Sequence, residues 1–235
     1  MHFAGRSGRY RTGIVICRQK AMQGQALAYD RGMGFLTAPL PRIGLMLTLL
    51  CSAPAVMAAD RYSIDPVHTR VAFKVMHAGF SPSIGTVSHP TGSLIYDEAD
   101  PGASQVSIDI DLSTLDMGDA GWNRKVLEDF LHAGDHPQAR FRSTSVEAVS
   151  ANLLRVTGNL EIAGGTAPIV FTVLLNAHKR HPLTLKKTLG MQASADFSRK
   201  ALGIDAWPSL VGDRVHLDVA IEATLSDRNS EDTTP

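Results

Sequence analysis

Histidines next to acidic or basic neighbours are the residues here whose types and spacing could do chemistry. His132 and His136 lie four apart with Asp135 between them, a spacing that would suit a metal if it sat on a helix. Gly134 and Pro137 instead make this stretch a helix exit, and no third ligand is apparent, so no metal site is expected. His178 and His181 flank Lys179-Arg180, which reads as a cationic loop with a solvated surface; its other use would be to meet a pyrophosphate or a membrane head group. His68 and His77 could work with a carboxylate as general bases, and Asp65 with Arg70 reads as an ordinary surface pair. No H-E-x-x-H, G-x-S-x-G, G-x-G-x-x-G or P-loop motif occurs, so no catalytic residues are assigned.

These residues sit behind an export leader. Ile43 to Leu50 is an apolar run following Arg42, and Val56-Met57-Ala58 supplies small residues before a cleavage point at Ala58/Ala59. The run is short for a membrane span, which favours a secretory signal over about 33–58 rather than a retained anchor. Thr48-Leu49-Leu50 lacks the small residue expected before a lipidated Cys51, and no twin arginines occur. Residues 1–32 precede a signal of ordinary length, so Met33 or Met22 is the expected start, the alternative being a long basic n-region. Removing the leader removes Cys17 and Cys51, so disulfides, thiolate metal sites and cysteine nucleophiles are excluded from the mature domain. It also removes seven basic residues and one acidic, leaving sixteen against twenty-two, a net charge near −6 that argues against nucleic-acid binding.

The elements that must position the histidines show period two. Val71, Phe73 and Val75; Val106, Ile108, Ile110 and Leu112; Val156, Leu160 and Ile162; Met191, Ala193, Ala195 and Phe197; and Val215, Leu217, Val219 and Ile221 each alternate with mostly polar neighbours. Successive strand side chains point to opposite faces, so each run has one dry face and one wet face. Shorter strands read at Tyr62–Asp65, Ser93–Asp97, Arg140–Ala148 and Ile169–Leu175. Turns read at Pro90-Thr91-Gly92, Asp100-Pro101-Gly102, Gly164-Gly165 and Gly212-Asp213. One helix interrupts the strands: Asp119 caps it, Trp122, Val126 and Phe130 form its stripe with Leu127 and Leu131 beside them, and Gly134 ends it. The expected fold is all-β, β-rich with this one helix: an antiparallel barrel over 60–226, its helix closing one end, followed by a disordered tail at 227–235.

Six fragments in order resemble the YceI-like, polyisoprenoid-binding family. Tyr62-Ser63-Ile64-Asp65-Pro66-Val67-His68-Thr69-Arg70-Val71-Ala72-Phe73 is similar to its opening, and Val75-Met76-His77-Ala78-Gly79-Phe80-Ser81 continues it. Gly92 to Asp97, His136 to Thr144, Val156 to Ile162 and Val211 to Val215 resemble later segments. Ala163 to Ile169 and Trp122 to Leu127 depart from the family pattern, which puts the lid, and with it the choice of ligand, in question.

The resemblance implies an extended lipocalin-like barrel that holds a long isoprenoid, quinone- or polyprenyl-type, with no catalysis and no cofactor beyond the bound lipid. The ligand-binding side chains expected on this basis are Phe73, Val75, His77, Phe80, Leu94, Ile108, Trp122, Val126, Phe130, Phe141, Leu160, Ile162, Phe171, Val173, Ala193 and Phe197. Ala193, Ala195 and Gly158 are expected to leave room on the dry faces. Expected partners are the isoprenoid lipid, a membrane quinone-dependent protein and a second copy of the chain, in the periplasm. Two other classes stay open: a hydrolase at the barrel mouth using His68 or His77, and a structural or stress module with a filled barrel.

Overall fold

The computed structural model describes residues 59–226; the leader and the tail lie outside them. Ten strands form one antiparallel sheet: β1 (Asp60–Ile64), β2 (Arg70–His77), β3 (Ser81–Ser88), β4 (Thr91–Tyr96), β5 (Gln105–Asp111), β6 (Gln138–Ser150), β7 (Leu153–Ile162), β8 (Gly165–Arg180), β9 (Lys187–Ser198) and β10 (Val211–Leu225). The order β1-β4-β5-β6-β7-β8-β9-β10 closes on itself through β1–β10 pairing, giving an eight-strand ring with no free edge.

β10 is long enough to serve two partners. Ala223–Leu225 pair with β1, and Val211–Ala220 pair with β2, so β1 and β2 lie end to end along one edge of β10. β3 pairs with β2 and returns to the wall through a single bridge, Thr86 to Asp116, with Thr114 Oγ1 bonded to Ser88. The helix end of the barrel is therefore walled by β2, β3 and the 112–117 segment in place of β1 and β4.

The alternation packs as its period requires. Leu217 stands between Phe73 and Ala195, and Val219 between Val71 and Ala193. Two apolar clusters result, one around Tyr62, Leu94, Phe141, Val156 and Leu189, the other around Val71, Leu112, Leu115, Leu131 and Leu202.

Several expectations are corrected. β3 carries no clean alternation and escaped the sequence reading: Gly85 and Val87 face inward, while Ile84 is exposed. Thr91 and Gly92 begin β4 rather than a turn, and a side chain at Gly92 would meet Ser107 O at 2.0 Å. Gly212-Asp213 is a bulge inside β10, where the register with β2 shifts. The β7–β8 turn is Ala163-Gly164, both left-handed as a two-residue hairpin demands, and Gly165 already belongs to β8. β8 extends to Arg180, so the expected cationic loop is half of a hairpin. Asp119 does cap the helix, accepting from Trp122 N at 3.0 Å, but α1 is only Ala120–Lys125, followed by one π-helical turn, Val126–Phe130. The chain leaves it at His132, φ +47°, not at Gly134.

Candidate functional site

The barrel interior is hollow. A main cavity of about 360 Å³ lies at the helix end, and an inner chamber of about 140 Å³ lies deeper. Val71, Ile110, Ala139, Leu160 and Leu217 line both, so the two adjoin across a shared neck.

Strand alternation builds the walls of the main cavity. Phe73 and Val75 come from β2, Leu160 and Ile162 from β7, Phe197 from β9, and Val126 and Phe130 from the π turn. His77 and Trp122 stand at its mouth with ring centroids 5.9 Å apart. The inner chamber takes Leu94, Ile108, Phe141, Leu160, Phe171, Val173 and Ala193. Fifteen of the sixteen expected side chains therefore stand on these walls. Phe80 does not: it is 91% exposed on the β2–β3 turn, because Ala78 and Gly79 turn the chain before the inward alternation resumes in β3.

The glycine expectation also changes. A Cβ at Gly158 would lie 2.6 Å from the Phe141 ring, so that space is already filled by the aromatic.

Polar groups on the main cavity are few: His77, Ser83, Lys125 and Arg199. Arg199 is 3% exposed and is held entirely by carbonyls, donating to Gly212, Ile204, Ala206 and Val211 at 2.7–2.9 Å. It staples the 204–212 loop over the cavity, with its guanidinium 5.9 Å from the Phe130 ring centroid. That loop supplies Trp207, whose ring lies 4.6 Å from Lys125 Nζ, and Lys125 in turn pairs with Asp129 at 2.8 Å. The mouth is thus framed by α1 and the 204–210 loop, latched to each other. Sequence reasoning missed Leu115, Met117, Ile204, Trp207 and Leu210 because they lie on irregular segments without periodicity, an unassigned tryptophan being the one signal available; Leu112 ended an alternating run but was not assigned to the site.

A polar group lies at the other end of the barrel. Tyr62, fully buried, places its hydroxyl 2.8 Å from His178 Nε2, and His178 Nδ1 lies 3.1 Å from Glu98. Tyr96 stands edge-on to the same imidazole at 5.5 Å, and burial pushes both tyrosines above the usual phenol range. Lys187 reaches Asp60 at 2.7 Å, which lowers the carboxyl. His178 is therefore a packed closing residue rather than part of a solvated loop.

Among the described residues, neither His68 nor His77 brings a hydrogen-bonded carboxylate to the cavity. His68 bonds Asp65 at 2.7 Å, but on the turn between β1 and β2 and largely in solvent. Burial raises the Asp65 carboxyl, and the hydrogen bonds from the His68 ring and from the His68 and Val67 amides outweigh it, so the net direction is down; the same bond raises His68. Asp65 thus pairs with His68, while Arg70 donates to the Pro66 and Thr69 carbonyls. Asp65, His68 and Glu222 form the one group among the described residues whose potential ligand atoms converge, within 4.8 Å; His132 and His136 do not join such a group. His77 meets Trp122 and has no hydrogen-bonded carboxylate among the described residues.

The YceI-like domain profile matches residues 62–223. A UPF0312 protein of Pseudomonas putida strain W619 is 31% identical over 178 residues, covering 74% of this chain and 91% of its own. A UPF0312 protein of Azotobacter vinelandii is 31% identical over 176 residues, with the same coverage. Among solved structures, BcnA of Burkholderia cenocepacia superposes with a TM-score of 0.62 at 22% identity, over 68% of this chain and 99% of that one. A polyisoprenoid binding domain from Saccharophagus degradans, implicated in plant cell wall breakdown, superposes at 0.55 with 15% identity, over 72% of this chain and 100% of that one. At those identities the structural likeness concerns the fold.

Proposed function

The chain belongs to the YceI-like domain family, and from that premise we propose that it binds a long apolar chain, an isoprenoid of quinone or polyprenyl type, in its hollow barrel. The observation that carries the proposal is the main cavity of about 360 Å³, walled almost wholly by carbon and continued by the inner chamber. An apolar cavity of roughly 150 Å³ accommodates the six carbons of benzene. On that scale the main cavity takes on the order of three isoprene units and the inner chamber about one. At ~0.8 kcal/mol per buried methylene-sized group, each unit contributes roughly 3–4 kcal/mol, against several kcal/mol lost to association and chain ordering. A few buried units thus suffice, and a longer chain would emerge past Trp122 and Trp207.

The polar side chains at the mouth, His77, Ser83 and Lys125, are suited to a head group there. The protein acts by holding the chain rather than by turning it over, a reading supported by a cavity to which, among the described residues, no histidine–carboxylate pair is directed. The leader points to work after export, in the periplasm.

Native-purified protein should yield an extractable prenyl lipid by mass spectrometry. Prenyl quinone at about 100 times its Kd should stabilise the delipidated protein by about 2.7 kcal/mol, a rise of roughly 5–10 °C in Tm. Repeated empty extracts together with an unmoved Tm would refute the reading.

A further inference from the structure

The β8–β9 hairpin outruns its neighbour. β7 pairs with β8 only as far as Leu174, and beyond Leu175 the β8 backbone pairs with β9 alone, up to Arg180 opposite Lys187, with the His178 side chain reaching back to Tyr62 and Glu98. The turn at its end is firmly built. His181 N donates to Lys186 O at 2.8 Å and Leu185 N to His181 O at 2.9 Å. The His181 ring accepts from the amides of Leu183 and Thr184 at 3.3 Å, and Arg180 donates to Leu185 O at 2.9 Å. Leu185 is held at φ +58°, a region that non-glycine residues rarely occupy. This hydrogen-bonded turn keeps two leucines in water: Leu183 is 86% exposed and Leu185 65%.

Single exposed leucines are ordinary. Their surroundings set these two apart. Between Glu161 and Asp196 there is no acidic residue, and Lys179, Arg180, Lys186 and Lys187 bracket the leucines. Lys187 is taken up by Asp60 at the root of the hairpin. Lys179 and Arg180 therefore make the tip locally cationic on a mature domain whose net charge is near −6.

We propose that the β8–β9 tip docks the protein on an anionic phospholipid bilayer, Leu183 and Leu185 entering the head-group boundary and the flanking basic side chains meeting lipid phosphates. Leucines at an apex with lysine and arginine behind them suit the anionic interface, where apolar insertion and charge attraction add. A partner protein would need on the order of 800 Å² from this side, more than a convex turn offers. The acidic remainder of the domain is repelled by the same surface, so the charge distribution also fixes which end faces it. Helix and mouth lie at the other end of β8, where Gly165 abuts Leu202, roughly 50 Å away along a strand of this length. A docked molecule keeps its mouth off the bilayer. The inference is independent of what occupies the cavity.

The test is co-sedimentation of the purified protein with phosphatidylcholine vesicles, with and without phosphatidylglycerol. Binding is expected only with phosphatidylglycerol and should be lost between about 0.1 M and 1 M salt. Lys179→Gln should weaken it about fivefold. Leu183→Ser with Leu185→Ser should weaken it about tenfold or more. Both variants should keep the parental Tm and the parental affinity for prenyl quinone, since Lys179, Leu183 and Leu185 line neither core nor cavity. Equal binding to both vesicle types, no binding to either, or either variant sedimenting like the parent overturns the proposal. So does capture of a DNA duplex as tight as that of the vesicles and indifferent to the leucines.

Discussion

Replacing Ala139 with phenylalanine should raise stability and lower ligand affinity together. Ala139 comes from β6, pairs with Ile110, is 6% exposed and lines both chambers at their neck. The substitution adds a phenyl ring, whose six carbons need roughly 150 Å³, against an inner chamber of about 140 Å³. At about 24 cal/mol per Å³ of void, eliminating that chamber is worth at most about 3 kcal/mol, and an imperfect fit makes ~1 kcal/mol the realistic gain. The ligand loses the burial of about one isoprene unit, roughly 3–4 kcal/mol, or on the order of a few hundredfold in Kd. Urea unfolding of the delipidated protein measures the first effect. Titration with a prenyl quinone measures the second, reported by Trp122 and Trp207, the two tryptophans of the chain, both at the mouth. A filled core predicts the opposite sign, because overpacking costs about 1–3 kcal/mol. An A139F protein that unfolds earlier and binds prenyl quinone as the parent does would refute the hollow-barrel reasoning.

Two further outcomes follow from local geometry. His68→Ala should cost stability chiefly between about pH 4 and 6.5: the depressed Asp65 contributes above its ordinary 3.8 and loses that contribution as pH falls through its lowered pKa, while the raised His68 contributes below 6.5 and loses it as pH rises through its raised pKa. Urea midpoints of parent and variant, compared across pH, should converge by about pH 8. Gly85→Ala should weaken prenyl-quinone binding roughly tenfold at a stability cost of ~1–3 kcal/mol, because the new Cβ would sit 2.3 Å from Phe73 Cζ and 2.5 Å from Met117 Sδ, two side chains that can yield only into the cavity; parental affinity in a folded variant would contradict this.

The barrel was legible because nine of its ten strands showed in the sequence: a strand that buries one face writes a period of two into the chain. The Asp119 cap was legible because a carboxylate there has one obvious use. β3 was not: it contributes Gly85 and Val87 inward but Pro82 and Ile84 outward, and its backbone is fixed by β2 and the 112–117 segment rather than by a pattern of its own. His178 looked solvated because Lys179 and Arg180 follow it, whereas the strand runs on and turns the imidazole toward Tyr62 and Tyr96. Arg199 carries no sequence signal of burial, since its partners are backbone carbonyls of a loop that could be placed only once the loop was seen.

The hollowness has a physical origin that differs from the one its small residues suggested. Eight strands leave an interior that side chains can ordinarily fill. Here the aromatics that would fill it are laid against the wall. Phe73 lies over Gly85, its direct cross-strand partner, and Phe141 lies over Gly158. A glycine beneath each ring removes the Cβ that would otherwise tilt it toward the barrel axis, so each pair is a flat apolar panel rather than a plug. Phe171 then meets Phe141 edge-on at 5.2 Å to wall the inner chamber, while the Phe73 panel walls the main cavity. Large rings seated on glycine give a wall that is both well packed and set back, which a chain of isoprene units requires.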